Sequence, residues 1–161
     1  MKGFEPSLLD RLFDDTPRNT TIEVLKRMSS EEFKDSVARD VEGLLNSRFV
    51  VADDILKRFP QCQRSLATYG IHDFSGRSLA SSTDRSFICQ SLELAITRHE
   101  PRLINVRVSL DQKQRATGAL RFSISALLVV HPSREPINFD ALLQPTTLQY
   151  SVSRNRRAAA V

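Results

Sequence analysis

Apolar positions along the chain keep a helical period up to residue 99 and then switch to a period of two. In SSEEFKDSVARDVEGLLNSRF, the residues Phe33, Val37, Val41, Leu44 and Leu45 form one apolar stripe, which predicts an amphipathic helix. Ser29 and Glu32 stand at capping-box spacing before it. Glu31 and Glu32 sit at the positive end of its dipole, with Arg48 near the negative end. Asp35 and Arg39 are spaced for an i, i+4 ion pair, and Asn46 and Ser47 begin to end the helix. A second long helix starts at Ser82 or Thr83 and carries Phe87, Ile88, Leu92, Ala95 and Ile96 as its stripe, with His99 one step further. Between the two, Pro60 is placed to start a short helix bearing Leu66 and Tyr69. Gly70 then takes the left-handed position that closes such a helix.

After Pro101 the period is that of a strand. Ile104, Val106, Val108 and Leu110 alternate with Asn105, Arg107 and Ser109, which predicts a half-buried strand with the first set inward. ALRFSISALLVVH alternates in the same way, but from Ala126 to Val130 it is apolar on both faces. That predicts a central strand covered on two sides. HPSREPINFDALLQP reads as a connection to a third strand in TTLQYSVSR, with Leu148, Tyr150 and Val152 inward. Helices followed by antiparallel strands predict an α+β fold: two main helices on a small antiparallel sheet of three or more strands.

Residues 1–28 read as an N-terminal extension, interrupted by Pro6 and Pro17. Within it Leu8, Leu9, Leu12 and Phe13 share one face of about two helical turns. A helix that short is marginal alone in water, so these four side chains need a surface, either the protein's own core or a partner's groove. Residues 29–153 then form a single domain and residues 154–161 a basic flexible tail.

Composition narrows the function classes. Hydrophobic residues make up 40% and charged residues 26%, as in ordinary soluble domains. No apolar run approaches the roughly 20 residues of a membrane span, and the N-terminus has no secretory h-region, so a cytoplasmic protein is expected. Of the net charge of +4, three charges come from Arg154, Arg156 and Arg157, leaving +1 for the rest. A body so near neutrality lacks the basic footprint of a nucleic-acid module. Cys62 and Cys89 form no metal spacing and are expected as reduced thiols, Cys89 near the core.

Chemical motifs are scarce. There is no glycine-rich phosphate loop and no G-x-S-x-G, and His72, His99 and His131 share no ligand spacing with acids or cysteines, so no cofactor and no metal is expected. Carboxylate pairs such as Glu100 with Asp40, or Glu42 with Asp73, could in principle cleave glycosides. Arg102, two residues after Glu100, argues against a raised carboxyl pKa there. No catalytic residue is therefore assigned.

The joint between the two periods, His99-Glu100-Pro101-Arg102, holds the most specific pattern. Pro101 steers Glu100 away from helical backbone angles, so the helix stops at about His99. In an extended segment Glu100 and Arg102 then share a side with Ile104, Val106 and Val108, as a charged margin of the core face. This margin is either an ion pair sealing the core, with Asp40 or Arg39 as further partners, or a rigid, half-desolvated Arg102 offered to a carboxylate or a sheet edge on another protein.

Three stretches in this order, RDVEGLLNSR (39–48), SLATYGIHDF (65–74) and HEPRLINVRV (99–108), together with the N-terminal PSLLDRLFDD, resemble the TssE family of small baseplate subunits. These subunits belong to bacterial type VI secretion systems and are relatives of phage tail baseplate wedge proteins. The likeness spans roughly residues 6–153 and rests on Arg39, Asp40, Asn46, Arg48, Tyr69 and Gly70 besides the Glu-Pro-Arg triplet. Val41 and Ser47 depart from it mildly, standing where Leu and Thr are expected. The resemblance implies a structural role among TssF, TssG and TssK, beneath a contractile sheath of TssB and TssC. It also implies sheath docking by Glu100, Pro101 and Arg102, through an exposed sheet edge beside them, and partner docking by the N-terminal Leu8, Leu9, Leu12 and Phe13. On that view Arg102→Ala leaves the fold intact and blocks sheath assembly. The alternative implied by the family's lysozyme-like label is a peptidoglycan-cleaving enzyme.

Overall fold

A computed structural model describes residues 28–74, 76–78, 81–111, 120–130, 133–144 and 146–155, together with residues 4, 10 and 12. Of the predicted docking residues, Leu8, Leu9 and Phe13 lie outside this set, as do His131 and residues 156–161. The fold is α+β, as predicted. Helix α1 (Ser30–Asn46), a short helix α2 (Asp53–Arg58), two 3-10 turns (Pro60–Arg64 and Leu66–Thr68) and helix α3 (Ser82–His99) precede four strands. These are β1 (Leu103–Asp111), β2 (Leu120–Val130), β3 (Ser133–Gln144) and β4 (Gln149–Arg154), antiparallel and in that order across one sheet.

Local chemistry sets the helix ends. The Ser29 hydroxyl accepts from the Glu32 N–H at 3.2 Å while the Glu32 carboxylate accepts from the Ser29 N–H at 2.8 Å, which completes the capping box. At the other end Arg48 donates to the Leu45 carbonyl, an orphan acceptor of the last turn, and to the Ser47 carbonyl just beyond it. The stripes of α1 and α3 bury Val37, Val41, Leu45, Leu92 and Ile96 against Phe122, Ile124, Leu128, Phe139 and Ala141 of the sheet. Helix α1 packs along β4 and α3 along β1.

The structure corrects the strand reading in four places. HPSREPINFDALLQP is mostly strand β3, with Ile137, Phe139, Ala141 and Leu143 buried. Its Pro136 is tolerated because of where it points. Asn155 N–H donates to the Asn138 carbonyl, so even-numbered β3 residues face away from β2, and the missing proline N–H costs no bond between β2 and β3. In β1, Asn105 has φ 55° and the register with β2 slips between Ile104 and Arg107. This bulge turns Leu103 rather than Ile104 into the core. Leu148 lies before β4, not in it, at φ 54° and 43% exposed. On β2 the second face is not covered as predicted: Leu127 and Val129 are only half-buried, and the helices pack on the other side.

Side-chain pairings differ as well. Asp35 pairs with Arg154 rather than with Arg39, and Arg39 reaches Asp10. Arg154 is therefore part of β4, held by Glu31 and Asp35, and not tail. The predicted short helix from Pro60 is instead two 3-10 turns, and Leu66, which opens the second, is 89% exposed. Phe87 is 39% exposed, under the Arg77 guanidinium, rather than in the stripe.

Candidate functional site

The Glu-Pro-Arg joint is built by the end of α3. Glu100 caps the helix: its N–H donates to Ile96 O at 2.8 Å, while its backbone leaves the helical region at φ −119°, ψ 84°, as Pro101 requires. Leu103 N–H closes the turn on the Glu100 carbonyl at 3.1 Å. Arg102 is fixed on both sides of its backbone. Its N–H donates to Glu100 Oε1 at 3.2 Å, and its carbonyl accepts from Val129 N–H of β2 at 2.8 Å.

The Arg102 guanidinium is held just as closely. Nε donates to Glu100 Oε1 at 2.6 Å, and Nη2 donates to both Glu100 Oε2 and Asp40 Oδ2. Asp40 comes from α1, so the cluster ties the two main helices together through the joint. Phe33 lies under the guanidinium, 5.8 Å from its ring centre. The side chains of Glu100, Asp40 and Arg102 are 6%, 13% and 22% exposed. Burial works to lower the Arg102 pKa, but the bonds and charges of Glu100 and then Asp40 outweigh it and hold the pKa above the ordinary arginine value. Both readings of the joint thus meet here: it is an ion-paired seal with Asp40, and Arg102 is rigid and mostly desolvated.

The charge count changes what such a site can receive. Two carboxylates share one guanidinium, so a third carboxylate from a partner would meet net negative charge. Only Nη1 is left without a partner among the described residues. A neutral carbonyl oxygen suits that remaining fork better than the carboxylate considered from sequence. Removing the guanidinium also strands two desolvated acids, so Arg102→Ala is not a fold-neutral substitution.

The other motif residues surround or support this cluster. Burial first, and then the Asp40 and Glu100 charges, push the Tyr69 phenol above its ordinary pKa. Tyr69 also meets the His99 ring edge-on, at 5.5 Å between centroids. Gly70, at φ +124°, lets this segment run against the end of α1, where a Cβ would come within 2.6 Å of the Ser47 carbonyl oxygen. Asn46 Nδ2 donates to Tyr150 O at 2.9 Å and Asn46 Oδ1 accepts from Tyr150 N–H at 2.8 Å, imitating a neighbouring strand. Arg48 reaches the Leu148 carbonyl at 3.1 Å.

The sheet edge beside the joint is β1, the outermost strand, and one of its outward donors is taken from within the chain. Glu93 of α3 accepts the outward N–H of Val108 on β1 at 2.8 Å. Glu42 of α1 does the same for Val152 on β4, at 2.7 Å. Sequence reasoning assigned neither glutamate this task. The i, i+4 spacing of Glu42 and Asn46 was the available signal. Besides the outer sides of β1 and β4, residues 133–137 of β3 have no described strand beside them, since β4 pairs from Phe139 to Gln144 and Asn155 N–H reaches the Asn138 carbonyl. The N-terminal segment meets α1 at its described residues: Phe4 stacks on Phe33 at 4.7 Å and bridges to Met28, and Asp10 accepts from Ser36 at 2.6 Å and Arg39 at 3.1 Å. Leu12 is 69% exposed.

No helix among the described residues is long and apolar enough to cross a membrane. A search of curated protein sequences finds no match. The model of a protein family described as baseplate wedge protein gp25 matches residues 31–133. That span runs from the first turn of α1 to the start of β3 and contains Asp40, Tyr69, Gly70 and the whole Glu100–Arg102 joint. The match covers more than half of the chain and coincides with the elements that build the ion cluster. The chain belongs to the baseplate wedge protein gp25 family, and its role is that of a structural component of a phage-tail-like baseplate.

Proposed function

We propose that the protein is the TssE-type wedge subunit of a bacterial type VI secretion system, and that its Glu100–Arg102 joint meets the contractile sheath. The observation that supports this is the immobilised guanidinium, bonded to Glu100 and Asp40 with Nη1 still unpaired among the described residues. Such a group offers a fixed donor at little ordering cost. The open half-edge of β3 runs across the sheet from it. Arg102 bonds to Val129 and Val129 pairs with Arg134, so the edge lies two strand spacings away, roughly 10 Å. A sheath strand of TssB or TssC could pair there while one of its carbonyls meets Nη1. TssF and TssG, with TssK attached, would take the wedge contacts, and the exposure of Leu12 supports the N-terminal segment as one of them.

The test is a neutral variant carrying Asp40→Asn, Glu100→Gln and Arg102→Gln in the native host. It should still copurify with TssF and TssG while fluorescent TssB forms no sheaths. Sheaths at wild-type frequency would overturn the docking assignment. Asp40 and Glu100 both bind the same guanidinium, a poor arrangement for a glycosidase acid and base. Glu100-dependent clearing of purified cell wall in a zymogram would nevertheless overturn the structural reading.

A further inference from the structure

Several cations of the body have carboxylate partners: Lys34 with Glu135, Arg39 with Asp10, Arg77 with Asp84, Arg102 with Asp40, Arg107 with Glu93 and Arg154 with Glu31. The layer made by α2 and the 3-10 turns is different. Lys57, Arg58 and Arg64 are exposed and form no ion pair with any described residue, and Arg98 on the adjoining face of α3 reaches only the Gln63 amide, at 3.4 Å. Its own acids, Asp53 and Asp54, open α2.

Apolar exposure concentrates in the same place. Val50 is 98% exposed, Ile55 44%, Phe59 55% and Leu66 89%, and Leu94, one turn before Arg98 on α3, is 48% exposed. Between the layer and α3 lies a depression lined by Phe49, Thr68, His72, Leu94 and His99. In it, His99 Nε2 is buried with no hydrogen-bond partner among the described residues. Exposed apolar side chains rimmed by polar ones mark interaction sites, and unpaired cations around them specify the sign of what binds.

We propose that this face docks an acidic, amphipathic segment of a partner protein, its apolar side chains against Phe59, Leu66 and Leu94 and its carboxylates against Lys57, Arg58, Arg64 and Arg98. A protein segment fits better than an anionic membrane. Leu94 and Arg98 line a concavity, and α2, with 6 residues, is too short to lie in a lipid interface as an amphipathic helix. The inference goes beyond the sheath-docking reading and does not depend on it.

A photo-cross-linking side chain placed at Leu66 of the full chain, in baseplates assembled in the native host, tests it. The expected adduct is a peptide of another protein, net acidic, with apolar residues at helical spacing. Arg58→Glu combined with Arg64→Glu should lower the yield about tenfold with unchanged melting, as loss of a well-anchored contact does. Phe59→Ala should do the same. An adduct on lipid, on a second copy of this chain or on a basic peptide would overturn the proposal, as would no adduct at all.

Discussion

Arg102→Ala is the most informative single perturbation of this molecule. The substitution removes the cation of a cluster in which the Glu100 and Asp40 side chains are 6% and 13% exposed. Both acids bond to one nitrogen, Nη2, at 2.5 Å each, so the two oxygens lie no more than 5 Å apart. Two like charges at that distance repel by about 3 kcal/mol at an effective dielectric constant of 20. Losing one partner of a buried ion pair costs about 3–5 kcal/mol in general. The 22% exposure of Arg102 places this case at the lower end, about 3 kcal/mol. For a chain of this size that corresponds to a melting temperature lower by roughly 6–12 °C. Urea denaturation followed by circular dichroism measures it directly. The neutral triple variant (Asp40→Asn, Glu100→Gln and Arg102→Gln) should recover most of the loss, because no unpaired charge is then buried. An Arg102→Ala protein within about 1 kcal/mol of wild type would refute the reasoning. So would a neutral variant no more stable than Arg102→Ala.

Gly70→Ala should destabilise by about 2–3 kcal/mol in urea titrations, since alanine at φ +124° is strained and its Cβ would meet the Ser47 carbonyl. Glu93→Ala leaves the Val108 N–H without its acceptor, at a cost of about 1–3 kcal/mol. Native-state hydrogen exchange should show protection lost at Val108 while Ile124 in β2 stays protected. Burial lowers the His99 pKa, against a hydrogen bond to the Thr68 backbone that raises it, with the Arg98 charge adding to the fall. A depressed folded pKa means that the unfolded chain binds the extra proton first, so this contribution is intact above about pH 6.5 and is lost as pH falls through the folded value. The difference between wild type and His99→Gln, followed from pH 8 to 5, should shrink on the acid side. A constant difference would contradict it.

The helices were legible because their determinants are local. Capping pair, stripe and dipole charges of α1 all lie within twenty residues of one another, and each is where the pattern put it. Strand β3 was harder because Pro136 and the polar Ser133, Arg134 and Glu135 resemble a loop. Its strand character depends on facing an open edge, which is a property of the finished sheet. The bulge at Asn105 shifts the phase by one residue, and strict alternation has no means of marking a left-handed asparagine. In the site, the Glu100–Arg102 pairing followed from i, i+2 geometry, and Asp40 was a named candidate. The saturation of Arg102 by two acids depends on the approach of α1, which local sequence does not encode. The edge-capping of Glu42 and Glu93 is tertiary in the same sense, since an exposed glutamate on a helix ordinarily reads as solvated.

The two edge-capping glutamates have a consequence for assembly. Glu93 takes one outward donor of β1, and Glu42 and Asn46 take two of β4, on the two outer strands of the sheet. Growth of a sheet by strand addition requires two open sides per unit, one to give and one to receive. A strand added to β1 or β4 has to displace the glutamate that holds its outward donor. Edge-to-edge growth by copies of this chain is therefore penalised at both outer strands, by the loss of a helix-to-strand bond at each.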